Sequence, residues 1–479
     1  MIKKEIFPPV RVMHSEGKIE SPESLLTLGT TQAFVGEPVA PVMKVSGKGY
    51  VVLDFGKEFR GGIRIITGNS VTNDKNYILI RVRFGESVNE CMAEMGEKNA
   101  GCDHSPRDIE TKIVSFSTAR IGDTGFRFVR IDFLEEVDSE IRDILTDAEI
   151  LDLPTQYEYK GCDPLLLDIF KTAKRTIDLC AAGDCVWDGI KRDRMVWIGD
   201  MHSEMLALAT LYGRVELFET SMEFLKETSP LDNFMCRIYT YSAWWIICLA
   251  DWCRMTDAVD FAARNVEYAE GIIKQFLECI DENGDFHFKV RTLVDWPTVG
   301  RSDEMDGTRA ILTLMAKRAV ELFESLSRDV EKAKELLSRL EKHPIKAKEM
   351  MQVAGLKFMA TGSLDEDEIE LLKNHDSRGM STFMSYDILT AYAHYFGKDE
   401  AVRVMKEYYG GMLSVGATSF WEDFSLDWLE GAGRIDEFTP DTLEDIHGDR
   451  GDFCYKGFRH SLCHAWSTGI IAFMKEMNI

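Results

Sequence analysis

The sequence lacks long apolar runs and has fewer basic than acidic residues. Its longest strongly apolar run is Ala243–Ala250, far shorter than the roughly 20 residues that a membrane-spanning helix needs, so we expect no membrane partner. Lys and Arg number 56 against 81 Asp and Glu, which gives a formal net charge of −25. Because phosphate backbones bind to concentrated basic faces, this balance argues against nucleic acid as a partner. A neutral small ligand is compatible with it.

The chain also begins without the features of a secreted protein. Met1–Val12 carries positive charge, but the apolar segment of a signal peptide does not follow it. The eleven cysteines show no CxxC spacing, and an odd number in an unsecreted chain predicts reduced, mostly buried thiols. We therefore expect a cytoplasmic protein. Assembly into a homo-oligomer stays open at this point.

A length of 479 residues predicts two domains. Residues 1–155 contain short β-branched and aromatic segments separated by Gly, Asn and Asp, which is typical of strands in a β-sandwich. The predicted strands are Val51–Phe55, Ile63–Thr67, Tyr77–Phe84, Ile113–Ser117 and Phe126–Phe133. Arg83 and Glu86 could contact a ligand from this part of the chain, but we expect them to be solvated strand residues. We expect Glu90–Asp108 to be an exposed loop without a metal site.

Residues 156–479 have the spacing of helices. Asp163 and Pro164 provide an N-cap followed by proline at the first helical position. About a dozen segments with apolar residues at helical spacing follow, and their lengths and short connections predict a toroid of paired antiparallel helices. After the first, at Leu165–Cys180, they are Met201–Tyr212, Val215–Lys226, Tyr241–Met255, Ala258–Ile280, Thr308–Leu326, Val330–Leu340, Ala347–Phe358, Glu366–Asn374, Thr382–Phe396, Asp399–Tyr408 and Ser461–Met474.

The stretch Trp187–Glu204 gathers carboxylates, arginines and tryptophans in eighteen residues. Gly189 and Gly199 argue against a continuous helix, because glycine in a helix interior costs roughly 1 kcal/mol relative to alanine. We predict a loop that leads into a helix. Carboxylates transfer protons and bind hydroxyls, arginines orient carboxylates, and indole rings cover the apolar face of a pyranose. On composition alone, a charged surface loop with two anchoring tryptophans explains the stretch equally well.

The order of the residues favours the sugar interpretation. Asp188-Gly189-x-x-Arg192-Asp193-Arg194-x-x-Trp197-x-Gly199-Asp200 resembles the signature of the α-L-rhamnosidases of glycoside hydrolase family 78. Further along, Gly416–Glu422 resembles the family's Gly-Ala-Thr-Thr-x-Trp-Glu element, and Ser461–His464 resembles its Ser-x-Asn-His turn. Three short segments before the main motif resemble the family's β-sandwich: Asp54–Gly62, Arg81–Glu86 and Phe126–Ile131.

This resemblance implies a multidomain β + α protein, with an N-terminal β-sandwich at 1–155 followed by an (α/α)6-barrel catalytic domain at 156–479. It implies Asp193 as the general acid and Glu422 as the base that activates water. Inversion then requires their carboxyl groups to lie roughly 6.5–9.5 Å apart. The expected substrate-binding residues are Asp188, Arg192, Trp197, Asp200, Asp295, Trp296, Trp421 and His464. Neither a cofactor nor a metal is expected.

Structural roles compete with these assignments. Asp188 and Asp200 could serve only to orient the arginines, the tryptophans could fill the barrel, and His464 could be a hydrogen-bonded core residue. His202 and Glu204 lack a third residue at metal-ligand spacing.

The chain departs from the family at the acid, where aspartate replaces glutamate and shortens the reach by about an ångström. Glu204 is an alternative acid. Because two cations beside Asp193 would favour its ionised form, we expect at least one arginine to point away, toward Asp188 or Asp200. The acidic segment 425–457 is a candidate lid over the cup. The family's C-terminal β domain is expected to be missing, since the sequence ends at Ile479.

The sequence therefore predicts an inverting exo-glycoside hydrolase that cleaves terminal α-L-rhamnose from small glycosides. One alternative is another (α/α)6-barrel specificity, such as an unsaturated uronyl hydrolase. The other is a catalytically impaired sugar-binding protein that keeps the pocket.

Overall fold

The computed structural model describes residues 1–38, 40–71, 75–453 and 456–479. An antiparallel sheet comes first and a helical part follows. The seven strands of the sheet are β1 (Ile2–Glu5), β2 (Arg11–Glu20), β3 (Met43–Val71), β4 (Tyr77–Gly85), β5 (Asp108–Val114), β6 (Thr118–Phe133) and β7 (Asp138–Leu151). Their order is β1-β7-β3-β6-β4-β5, with β2 paired to β3. The prediction of a β part before a helical part is confirmed at this level.

Strand β3 runs through the whole sheet and makes it curl. Its 29 residues pair with β6 along most of their length and with β7 at both ends, with a register shift between Asp54 and Phe59. Gly56 lies at this shift with φ +82°, a conformation that side chains other than glycine rarely adopt. The sequence pattern predicts two separate strands in place of β3, because glycine at position 56 is typical of a strand end. Strands β1, β2 and β7 are absent from the predicted set.

Thirteen α-helices lie in the described ranges. They are α1 (Val88–Met92), α2 (Pro164–Cys180), α3 (Met201–Tyr212), α4 (Glu216–Thr228), α5 (Tyr239–Thr256), α6 (Val259–Cys279), α7 (Glu304–Ser325), α8 (Glu331–Leu340), α9 (Met351–Thr361), α10 (Glu366–His375), α11 (Ser385–Phe396), α12 (Lys398–Ser414) and α13 (Ile470–Glu476). The predicted start of α2 is confirmed, since Asp163 Oδ1 accepts the N–H groups of Leu165 and Leu166 at 2.9 and 3.3 Å. Two short parallel strands, β8 (Ala432–Gly433) and β9 (Glu444–Asp445), lie between α12 and α13.

Six helices form a closed ring of neighbours. Helices α3, α5, α7, α9, α11 and α13 each contact the next, and α13 returns to contact α3. Residues of α3 are buried on every side, whereas α4 buries only one face, which is the difference expected between an inner and an outer helix. The loops at one end of this ring carry the residues that sequence analysis singled out.

The sheet and the helical part are joined by buried polar contacts. Arg127 of β6 donates to Gly416 O at 2.9 Å and to Asp54. The prediction that Arg83 and Glu86 are solvated is wrong, since their exposed fractions are 1% and 0%. Each has polar partners inside the protein: Arg83 pairs with Asp132, and Glu86 contacts the helical part. Strand alternation alone does not reveal such partners.

The segment Glu90–Asp108 is only partly the exposed loop that was expected. Helix α1 overlaps the start of this segment. Glu90 and Arg107 are buried, and Arg107 donates hydrogen bonds to Phe84 O and Glu90 O at 2.9 and 3.0 Å. Between them the backbone is mostly exposed, and it brings His104 toward the helical part.

The acidic segment 425–457 lies partly outside the described residues, at 454–455. Its described part packs against α1, the helix that follows β4: Val88 N donates to Ile435 O at 3.0 Å, and Asn89 Nδ2 donates to Thr439 Oγ1 at 2.7 Å. It therefore bridges the two parts of the chain.

The ten described cysteines form no disulfide. The prediction that the thiols are mostly buried is wrong for these ten, since four are buried and Cys102, Cys162 and Cys236 are exposed. Cys454 lies outside the described residues. Within the described ranges, every helix is too short or too polar to cross a bilayer.

Candidate active site

A cavity of about 380 Å³ opens where the loops of the ring meet the sheet. Seven of the residues predicted for the site line it: Asp188, Arg192, Asp193, Trp197, Asp200, Trp296 and His464. The remaining lining residues are His104, Met195, Tyr241, Arg291, Leu293, Arg459 and Trp466. Loops that are far apart in sequence thus converge on one space, as the sequence predicted for the main motif and the histidine turn.

Asp188 fixes the shape of the main loop. Its carboxylate accepts the N–H of Asp193 at 2.9 Å and that of Met195 at 3.0 Å, which closes the loop on itself. Gly189 lies against the same loop, where an added Cβ would come within 2.4 Å of Arg192 O. Only glycine permits this approach. The order Asp-Gly is therefore explained by the fold of the loop.

Arg192 lies between the two carboxylates that the sequence proposed as the reacting pair. Its Nη1 donates to Asp193 Oδ1 at 2.8 Å, and its Nη2 contacts both oxygens of Glu422 at 2.7 Å. One guanidinium and two hydrogen bonds therefore separate the carboxylates, a span of roughly 5–8 Å. Asp193 is partly exposed to the cavity, whereas Glu422 is 2% exposed and lies behind Arg192 and His464.

Arg194 points away from Asp193, as one arginine was expected to do. Its target differs from the expectation: it donates to Asp123 O and Asp123 Oδ2 at 2.7 and 2.9 Å, and it stacks over Trp187. Asp188 and Asp200 are unavailable to it because they face His464 instead. Arg192 keeps its direct contact with Asp193.

His464 lies among three buried carboxylates. Its Nε2 is 3.6 Å from Asp188, 3.9 Å from Asp200 and 3.5 Å from Glu422. Burial tends to raise the pKa of Asp188, but His464 and two backbone N–H groups outweigh it, so the pKa is lowered. Burial and the nearby carboxylates of Glu204 and Asp188 raise the pKa of Asp200 well above its usual value. Neighbouring carboxylates therefore differ in their affinity for a proton.

Two predicted contact residues lie outside the cavity wall. Asp295 is buried, where it caps a short turn at Trp296 and accepts Ser381 Oγ at 2.5 Å. Trp421 is 1% exposed and packs against Phe424. The structure does not bring either side chain to the cavity. Trp466, two residues after His464, lines it instead.

Glu204, the alternative acid, is also displaced from the cavity. It is 1% exposed in α3, and burial together with Asp188 raises its pKa well above the usual value. Because Glu204 does not line the cavity, a proton on its carboxyl group cannot pass directly to a ligand there.

The sheet supports the site through Lys191, a buried lysine that sequence analysis left without a role. Its Nζ is 3.0 Å from Glu86 and 3.2 Å from Glu90, and it donates to Phe458 O and His460 O at 2.9 and 2.6 Å. Glu86 also accepts Leu462 N at 2.6 Å. These bonds join the main loop and the histidine turn to one strand end.

Two groups of side chains have the spacing of metal ligands, namely Glu86, Glu90 and His447, and Asp188, Asp200 and His464. In the first group the Lys191 ammonium already supplies the positive charge between the carboxylates. In the second, the three side chains border the cavity, and their donor and acceptor atoms suit hydroxyl groups as well as a cation.

Sequence reasoning missed His104, Tyr241, Arg291 and Arg459 as lining residues. None of the four belongs to a recognisable sequence motif, and only the fold brings them to the cavity. His104 comes from the sheet part of the chain, and its Nε2 is 3.3 Å from Asp193 Oδ1.

Sequence comparison with protein-family models and with curated proteins finds no match. Solved structures are similar. A rhamnosidase from Klebsiella oxytoca with rhamnose bound has a TM-score of 0.76 and 17% identity, covering 100% of this chain and 96% of that one. For the GH78 family rhamnosidase of Bacillus sp. GL1 the TM-score is 0.70 with 18% identity, over 95% of this chain and 48% of that one.

An α-L-rhamnosidase from Streptomyces avermitilis complexed with L-rhamnose gives a TM-score of 0.63 at 13% identity, over 99% of this chain and 43% of that one. The chain thus spans nearly all of the first structure and about half of the other two.

The molecule belongs to the class of proteins in which an antiparallel sheet precedes a ring of helices with an acidic, indole-lined cavity at one end. More particularly, its fold is that of the α-L-rhamnosidases, and the resemblance noted in the sequence is confirmed at the level of fold.

Proposed function

We propose that the protein is an inverting exo-glycoside hydrolase that removes terminal α-L-rhamnose from small glycosides. The observation that carries this proposal is the shared contact of Asp193 and Glu422 with Arg192 beside the cavity. A volume of about 380 Å³ suits a monosaccharide with part of its leaving group. The fold of rhamnose-binding structures supports the choice of sugar.

In this proposal Asp193 protonates the glycosidic oxygen. Arg192 and His104 both contact Oδ1, and within the described part of the chain Oδ2 makes no hydrogen bond. Oδ2 is therefore the oxygen that faces a substrate. Once the proton has left, Arg192 stabilises the carboxylate that remains.

Glu422 takes a proton from the attacking water on the opposite face of the sugar. Its carboxylate accepts hydrogen bonds from Arg192 and from the Ser461 N–H at 3.2 Å, and these bonds fix its orientation. Since Arg192 covers it from the cavity, this role requires the guanidinium to turn aside when a sugar binds. The carboxyl separation permitted by the shared arginine, roughly 5–8 Å, overlaps the range of roughly 6.5–9.5 Å of inverting enzymes and also includes the roughly 5–5.5 Å of retaining enzymes, so the anomer of the product decides between them.

The indoles and the remaining carboxylates would bind the sugar ring. Trp197, Trp296 and Trp466 offer apolar faces, and Asp188, Asp200 and His464 offer hydrogen-bond partners for hydroxyl groups. In the same proposal residues 1–155 form a β-sandwich and residues 156–479 an (α/α)6 barrel, which is supported by the closed ring of six helices and by the break between β7 and α2.

A panel of aryl glycosides tests the proposal. Release of the aryl group from the α-L-rhamnoside, and from no other glycoside, is expected. Asp193→Asn and Glu422→Gln should each lower kcat by about 10²–10⁴-fold without loss of folding. Asp281→Asn, at a half-buried aspartate outside the cavity that pairs with His287, should leave kcat unchanged. Near-normal activity of either of the first two variants would refute that residue's role.

Proton NMR of the first-formed sugar tests inversion, and a retained anomer would contradict the role of Glu422. A different specificity, such as that of an unsaturated uronyl hydrolase, would appear as turnover of another member of the panel. Binding of rhamnose in calorimetry without turnover over days would instead identify a sugar-binding protein. The contact of Arg192 with both oxygens of Glu422 favours this sugar-binding candidate, because the guanidinium lies between that carboxylate and the cavity.

A further inference from the structure

The sheet part of the chain contributes one titratable side chain directly to the proposed acid. His104 lies in the loop before β5, and its Nε2 is 3.3 Å from Asp193 Oδ1, with side-chain exposed fractions of 23% and 16%. Both side chains line the cavity. A histidine that touches a reacting carboxylate and also reaches solvent can exchange protons with both.

The other charged groups around His104 are already paired. Arg459 Nε is 2.7 Å from Asp103 Oδ2, and Lys191 is bound to Glu86 and Glu90. Arg192 contacts Asp193 and Glu422, but a guanidinium does not give up its proton in proteins. Within the described residues, His104 is therefore the group in contact with Asp193 that can carry a proton to it.

We propose that His104 is a positioning and proton-supplying residue, which restores the proton of Asp193 after each cleavage. This proposal rests on the proposed hydrolase function. When the glycosidic oxygen has taken the proton of Asp193, the Nε2–H bond of the His104 imidazolium breaks and an O–H bond forms at Oδ1. Neutral His104 then takes a proton from solvent, while Glu422 releases the proton that it took from water. One proton enters and one leaves in each turnover.

The returned proton reaches the cavity by rotation of the carboxyl group. The terminal torsion of aspartate is broad and roughly two-fold, so a half-turn exchanges Oδ1 with Oδ2. This places the proton on the oxygen that faces the substrate and leaves the other oxygen with Arg192. His104 thus supplies protons to Asp193, but it does not make up for the shorter side chain of aspartate compared with glutamate.

Two substitutions separate proton supply from mere support. His104→Gln keeps an N–H that can donate to Asp193 but cannot carry a proton, and His104→Ala removes both. For a rhamnosyl disaccharide both variants should lose about 10–100-fold in kcat, with KM changed much less. For 4-nitrophenyl α-L-rhamnoside the loss should be smaller, because nitrophenolate leaves without full protonation.

Imidazole added to His104→Ala should raise kcat in proportion to its concentration, and it should have no effect on His104→Gln. His287→Gln, at an exposed histidine that pairs with Asp281 at 2.9 Å, is the matched control and should behave as wild type.

Wild-type kcat in His104→Gln, or a lack of rescue of an impaired His104→Ala, would overturn the proposal while leaving the hydrolase function intact. If the wild-type protein cleaves none of the glycosides, the hydrolase function itself fails and this inference fails with it. The two failures are therefore told apart by the wild-type reaction.

Discussion

Replacing Lys191 by methionine should destabilise the protein by about 3–5 kcal/mol, the usual cost of removing one partner from a buried ion pair. Methionine keeps most of the volume, so the change isolates the charge. The side chain of Lys191 is 8% exposed, and those of Glu86 and Glu90 are 0% exposed. Two carboxylates would lose their cation, and the carbonyl groups of Phe458 and His460 would lose a donor.

Urea unfolding followed by tryptophan fluorescence measures this loss as a lower transition midpoint. Lys4→Met is the control, because Lys4 is 61% exposed and lies 4.0 Å from Glu149, where a pair contributes about 0–1 kcal/mol. The double variant Lys191→Met/Glu86→Gln should recover part of the loss, since it removes one unpaired charge. Equal midpoints for Lys191→Met and Lys4→Met would refute the reasoning.

Five further substitutions probe the loop, the core and the cavity. Gly189→Ala should lower kcat by at least about 10-fold with little change in folding, because the new methyl meets Arg192 O; wild-type kinetics would show that the loop adapts. Asp193→Glu should also slow turnover, by about 10²-fold, since Oδ1 is already fixed by Arg192 and His104; a faster enzyme would contradict this. Burial raises the pKa of Asp387 from 3.8 to about 6, so its contribution to stability is present below pH 4 and is lost as pH rises to about 6. Asp387→Asn should therefore flatten this decline in urea midpoints measured from pH 4 to 7, and an unchanged slope would count against the shift. Trp421→Phe should leave the affinity for L-rhamnose in calorimetry unchanged, whereas Trp197→Phe should weaken it; the reverse order would place Trp421 at the ligand.

The main loop and the histidine turn could be predicted from sequence because each is a short local pattern. Asp188 and Gly189 have a function in shaping the loop itself, through two backbone hydrogen bonds and a close approach to Arg192. Residues that interact with their own loop form a short sequence pattern, which can be recognised without the structure. The helical part was predictable for the same reason, since periodicity of apolar residues follows from burial on one face.

The contacts that were missed all join distant parts of the chain. Arg83 and Glu86 follow the alternation of a half-buried strand, yet their partners inside the protein bury them completely. His104 stands in a polar segment with no pattern around it. For Asp295 and Trp421 the sequence predicts a place at the ligand that the structure does not give them. Each lies in a loop rich in acidic and aromatic residues, but both side chains are buried in the core. Composition indicates which residues are chemically capable, and only packing decides which of them reach a cavity.

The candidate site is a joint product of the sheet and the helical ring. Lys191 and Arg192 are consecutive, and they have different partners: Lys191 contacts the buried Glu86 and Glu90, which follow strand β4, and Arg192 contacts Asp193 and Glu422. Any shift of the sheet relative to the ring would move the lysine and, through one peptide, the arginine that spaces the two carboxylates. Because His104 approaches Asp193 from the sheet side as well, the sheet part of the chain both fixes the position of the proposed reacting pair and supplies one of its neighbours. The helical ring without the sheet would therefore contain the sequence motifs but would lack the geometry on which the proposed chemistry depends.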